Sequence, residues 1–133
     1  MADAASFPAG VPVQSESELL AGLKELAADV GGEGVAEIVD LFLGDSLELL
    51  AELRRGAELG DAARIASAAH AFKSTAATVG ATELSALCQE MERLGRAGQA
   101  RDAVPHLPGL EAEYRHVRVL LGRLRSQVET ADF

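Results

Sequence analysis

The chain has 133 residues, enough for one ordinary domain with a single buried core. It carries 21 acidic residues against 12 basic ones, a formal net charge of −9, and a surface this acidic repels phosphate backbones, which excludes nucleic-acid binding by charge. Three histidines and one cysteine exclude an internal disulfide framework and a cysteine-rich zinc site, while 4% aromatics and many Ala, Leu, Glu and Arg favour helix over strand.

No apolar run approaches the length of a membrane span, and Met1 to Val13 has no basic segment followed by an apolar one. A cytoplasmic protein that engages no membrane is therefore expected. Residues 1–14 contain Pro8, Gly10 and Pro12 and show no period, so they read as a flexible arm or linker. Phe7, Val11 and Val13 are apolar enough for part of that arm to lie against the folded body.

A first, short helix should start near Ser15 or Ser17, either of which can cap it, with Glu16 and Glu18 where the helix dipole favours acids. Leu19, Leu23, Leu26 and Val30 recur at helical spacing, and Gly31-Gly32 should stop it. A second helix is expected over 33–59. Val35, Ile38, Val39, Phe42, Leu49, Leu50 and Leu53 supply its inward stripe, while Leu41, Leu43 and Leu47 spread to other sides. That much apolar surface suits a central helix touching neighbours on two sides. Gly44-Asp45-Ser46 lies in its middle, where a bend is plausible.

Gly60 should end that helix and Asp61 cap the next one. In this third helix Ala62, Ile65, Ala69, Phe72, Ala76 and Val79 share one face. His70 lies about 140° round from Ile65, off that stripe. Its neighbours at helical spacing are Ala63, Ala66, Ser67, Lys73, Ser74 and Ala77, all small except the lysine. Most histidines on a helix surface are merely solvated; this one stands in a clearing beside one cation. Gly80 closes the helix.

The fourth helix should start near Thr82, with Thr82 as a possible cap, and bury Leu84, Leu87, Cys88, Met91 and Leu94. Cys88 reads as a small hydrophobe, since no histidine stands beside it to activate it. Glu92, Arg93, Arg96 and Arg101 crowd the end of this helix. Pro105 and Pro108, with His106 between them, make the next connection. The last helix places Leu110, Tyr114, Val117, Leu121, Leu124 and Val128 on a regular seam suited to antiparallel packing, with Arg115, Arg118, Arg123 and Arg125 on the solvated sides. The expected fold is all-α: an antiparallel four-helix bundle spanning the last four helices over 15–130, with an additional short N-terminal helix packed at one end.

The stretch Ala69-His70-Ala71-Phe72-Lys73-Ser74-Thr75-Ala76-Ala77-Thr78-Val79-Gly80, followed by a helix ending in Leu94-Gly95-Arg96, resembles the signature of histidine-containing phosphotransfer domains. That resemblance implies a helical bundle carrying a phosphoryl group on His70 between the aspartates of response-regulator receiver domains, in a multistep phosphorelay that includes a hybrid histidine kinase. It implies a monomeric phosphocarrier with no turnover of its own and no metal or cofactor, the receiver bringing Mg2+. Gly80 and Arg96 occupy signature positions, and Leu43 or Leu47 would belong to an apolar patch for receiver docking. Two positions depart from the pattern: Ser74 stands where glycine is common, and Ala77 where a polar residue is common.

The residues suit that chemistry. A neutral imidazole offers a lone pair near neutral pH, and the Lys73 ammonium can swing toward phosphoryl oxygens. Ser74 could add a hydroxyl donor. Small side chains at Ala66, Ser67, Ser74 and Ala77 allow a partner to close over the ring and exclude water. A histidine kinase dimerisation helix is disfavoured, because Ala71 follows the histidine, no proline occurs between His70 and Pro105, and no glycine-rich nucleotide-binding segment is present. Two other readings remain open: an adaptor bundle without chemistry, and a metal-binding carboxylate bundle suggested by the Glu113-Tyr114-Arg115-His116 pair on the solvated side of the last helix.

Overall fold

The structure, a computed structural model, describes residues 13–130. In order these form α1 (Glu16–Leu59), α2 (Ala62–Thr78), α3 (Thr82–Arg96), α4 (Ala100–Ala103), a 3-10 turn (Val104–His106) and α5 (Leu107–Thr130), with no strand among the described residues. Phe7 and Val11 lie outside the described residues.

The expected first and second helices follow one another directly in α1, as two helical arms that meet at a kink. Ser15 caps α1, its hydroxyl oxygen accepting from the Glu18 N–H, and of the interior residues Gly31 alone leaves helical geometry, at φ 79° and ψ 167°. That conformation is open almost to glycine alone, so the first helical arm stops at Gly31 as the glycine pair predicts, and the second starts at Gly32 with no loop between them. The short arm 16–30 and the long arm 32–59 are thus two helices that meet at a kink. No break occurs at Gly44-Asp45-Ser46. Ser46 is fully buried there, its hydroxyl 2.7 Å from the Tyr114 hydroxyl, which fastens the helix to α5 instead of bending it.

The long arm of α1, α2, α3 and α5 build an all-α four-helix bundle. Cross-pairs fix the direction of α5 against α1: Arg54 meets Glu111, the Leu43 carbonyl accepts from Arg118, and Asp40 meets Arg125, so one number rises as the other falls. The expected stripes face the core, with Ile65, Ala69, Phe72 and Ala76 of α2, Leu84, Cys88, Met91 and Leu94 of α3, and Leu110, Val117, Leu121, Leu124 and Val128 of α5 all buried. At their centre Phe72 meets the Tyr114 ring edge-on, centroids 5.6 Å apart and planes at 84°, and Phe42 stands 6.3 Å from the same ring. Burial pushes the Cys88 thiol up to about 12, which suits a packing residue and not a nucleophile.

Four expectations need correction. The N-cap position of α3 is Ala81, without a side-chain cap; Gln14 does that work, its Oε1 accepting from the Glu83 N–H at 3.3 Å and from the Thr82 hydroxyl at 3.4 Å. Gln14 therefore does not belong to a free arm: it is 2% exposed, its N–H donates to Glu113 Oε2 and its carbonyl accepts from His116 Nε2–H. Glu113 is fully buried, not on a solvated side, and with His116 it holds Gln14. Arg118 is half-buried, donating to the Tyr114 hydroxyl and the Leu43 carbonyl, because a guanidinium can satisfy two acceptors at the α1–α5 seam while its stem covers apolar surface. The proline-containing connection is also more regular than a loop. It forms α4 and the 3-10 turn, and Pro108 sits in the first turn of α5, where a missing N–H costs nothing.

One close approach sets the spacing of α2 and α3. A Cβ on Gly95 would lie 2.7 Å from the Ala66 nitrogen and 2.8 Å from the Ala62 carbonyl oxygen, so the end of α3 rests directly on the backbone of α2. Gly95→Ala should force these backbones apart and cost about 1–3 kcal/mol in chemical denaturation. Phe72→Ala, which empties the centre of the aromatic cluster, should cost about 3–5 kcal/mol in the same measurement. Burial raises the Glu113 carboxyl from 4.5 to about 7. The stability that depends on its neutral form is fully present below pH 4.5 and is lost as pH rises through about 7, so the melting temperature should fall over that window and fall less in Glu113→Gln.

Candidate functional site

His70 lies midway along α2, on the side turned toward α3, with 57% of its side chain exposed. The helix brings it there because the apolar stripe through Ile65, Ala69, Phe72 and Ala76 must face the core, which leaves the position one residue past Ala69 outward. Its Nδ1 is 2.9 Å from Glu92 Oε2 on α3. Glu92 is 7% exposed and gathers two cations as well: Lys73 Nζ stands 2.7 Å from Oε1, and Arg96 donates to Oε2 from Nε at 2.9 Å and from its terminal nitrogen at 2.5 Å.

These partners hold the Glu92 carboxyl down at about 2, Lys73 contributing most, burial opposing it, and the bonds from Arg96 and His70 adding to the lowering. At neutral pH Glu92 is an ionised carboxylate and can only accept. The hydrogen between it and the imidazole must then belong to Nδ1, which assigns the free lone pair to Nε2. Nδ1 is thus occupied and Nε2 is the atom available for bond formation.

An open cleft of about 660 Å³ runs from this ring along the α2–α3 seam, lined by Ala62, Ala63, Ala66, Ser67, Gly95 and Arg96. Ala66 and Ser67 therefore border the histidine as their spacing implied. Ser74 is exposed one turn on from His70, and Ala77 is exposed on the same side. Gly80 is elsewhere: ten residues along α2, about 15 Å from His70, it takes φ +81° at the helix end, where the turn packs near Gly22. It closes the helix and does not touch the ring.

The two candidate docking leucines also separate from the histidine. Leu43 is half-buried against the core beneath Arg118. Leu47 is 53% exposed but falls on the α1 side that bears Leu43 and Arg54, the side facing α5. The exposed leucine toward α2 is Leu41, 65% exposed, which shares a groove with Asp45, Thr75 and Thr78.

Glu92 was not singled out from sequence. The signal lay in its position: one residue beyond Met91 and four beyond Cys88, it borders the buried stripe of α3, and Arg96 follows at the spacing of an ion pair. A carboxylate at the edge of a core with cations around it is a perturbed, partnered group.

Residues 37–127 match the family model described as the Hpt domain. Histidine-containing phosphotransfer protein 4 of Arabidopsis thaliana is 30% identical over 98 residues, covering 72% of this chain and 77% of that protein. Histidine-containing phosphotransfer protein 2 of the same plant is 24% identical over 102 residues, covering 74% of this chain and 65% of that protein. The crystal structure of histidine-containing phosphotransfer protein B from Pseudomonas aeruginosa PAO1 has the same fold, with a TM-score of 0.72 at 29% identity over 90% of this chain and 98% of that one. With its helical bundle, its outward histidine and a family match over most of its length, this chain belongs to the Hpt domain family.

Proposed function

We propose that this protein is a cytoplasmic, monomeric histidine phosphotransfer protein, carrying a phosphoryl group on His70 between the aspartates of response-regulator receiver domains in a phosphorelay fed by a hybrid histidine kinase. The observation that carries this reading is the pairing of Nδ1 with an ionised Glu92, which leaves an exposed Nε2 lone pair beside Lys73 and Arg96. No helix of the described residues is long and apolar enough to cross a membrane.

On this reading, an aspartyl phosphate of a receiver enters the cleft over the small residues Ala63, Ala66 and Ser67. Its phosphorus forms a bond to Nε2 as the bond to the aspartate oxygen breaks, and the carboxylate stays with the receiver. The ring keeps its Nδ1–H and becomes an imidazolium supported by Glu92. Lys73, and Arg96 beyond it, lie within one side-chain swing of the phosphoryl oxygens. The receiver supplies the Mg2+, and the chain is a carrier between two aspartates, without kinase activity. Leu41 and the groove it shares with Thr75 and Thr78 extend the apolar ground beside α2 for a docked receiver.

Incubation with a phosphorylated receiver should give an acid-labile, base-stable adduct that is absent in His70→Gln. Lys73→Ala should slow transfer by about tenfold or more while leaving helicity near wild type, with a lowered melting temperature because the buried Glu92 carboxylate loses one of its partners. Retention of the adduct in His70→Gln would sink the assignment, and a receiver screen without any label would favour a docking adaptor.

A further inference from the structure

The cations that a phosphoryl group on His70 would need are already taken. Lys73 and Arg96 both lie on Glu92, whose carboxylate is buried and fixed, whereas Arg96 is exposed and Lys73 is the long flexible partner. One carboxylate and two cations leave a single excess positive charge beside the ring. A phosphoryl group on Nε2 has to draw Lys73 and Arg96 away from a carboxylate that cannot follow them.

Resting on the phosphotransfer reading of His70, we infer that Glu92 is a positioning residue that makes the phosphoryl group easy to give up, by competing with it for Lys73 and Arg96 while holding the proton on Nδ1. In the outward step a receiver's aspartate oxygen forms a bond to phosphorus as the Nε2–P bond breaks, and that bond's electron pair returns to Nε2. The imidazolium becomes a neutral imidazole with its Nδ1–H still on Glu92, so no proton has to leave or arrive. Lys73 and Arg96 fall back onto the carboxylate. An amide at position 92 would still offer a carbonyl oxygen to Nδ1–H, but it would leave both cations to the phosphoryl group and hold it longer.

The test uses the full-length protein phosphorylated by phosphoramidate, a small donor that needs no receiver, with the phosphohistidine followed by 31P NMR. Glu92→Gln should lengthen its lifetime about three- to tenfold, and shift the equilibrium with a phosphorylated receiver toward histidine by a similar factor. The gain should vanish when Lys73→Gln is added, a dependence that mere structural support would not produce. Arg96→Gln, at an exposed side chain, should shorten the lifetime on its own. An unchanged or shorter lifetime in folded Glu92→Gln, a gain indifferent to Lys73, or no effect of Arg96→Gln would overturn the inference and leave His70 as the acceptor. Failure of wild type to form a phosphohistidine that His70→Gln abolishes would instead remove the reading on which it rests.

Discussion

Where α2 and α3 press together, their seam takes in the carboxylate of Glu92, and the arrangement round His70 follows from how that charge is held. A carboxylate taken out of water is tolerated when several donors meet it, and here three come from two helices: Lys73 and His70 from α2, Arg96 from the last turn of α3. The cluster works only at close range, and Gly95 sets that range. With no side chain there, the end of α3 lies on the backbone of Ala62 and Ala66, and Glu92 reaches the imidazole directly.

The rest of the bundle keeps that seam in register. Phe72, two residues from the histidine, is locked against Tyr114, whose hydroxyl is shared by Ser46 of α1 and Arg118 of α5. The face opposite His70 is thereby tied to two other helices, and the ring stands on a rigid element, where a functional group is more sharply placed than on a loop. At the other end of α3, Gln14 replaces a missing cap and joins the segment before α1 to both α3 and α5. The helix that carries Glu92 and Arg96 is held at its start by a residue far away in sequence and at its end by contact with α2.

The site divides its labour by exposure. Glu92 is buried and fixed, His70 is largely exposed, and the cleft beside it is lined by alanine, serine and glycine together with Arg96, so Arg96 is the one long side chain besides the histidine that borders the approach. Leucines lie on both flanks of α1, but only the flank bearing Leu41 turns toward α2; Leu43 and Leu47 belong to the side that meets α5. The chain belongs to the Hpt domain family and shares its helical fold with the Pseudomonas aeruginosa protein at 29% identity.

Helix identity, the buried stripes and the outward position of His70 were legible in the sequence, because each depends on spacing within one helix. A period of 3.6 residues decides which side chains share a face whatever the helix packs against. The capping Asp61, the buried Cys88 and the seam of α5 followed from the same local rule. Everything that needed two helices to be placed against each other was decided by the tertiary structure: that Glu92 meets His70, that Leu47 looks toward α5, that Glu113 is buried on Gln14 and that Gln14 caps α3. Periodicity fixes an angle about one axis; the register between axes comes from the fit of side chains across the seam, here from the missing Cβ of Gly95.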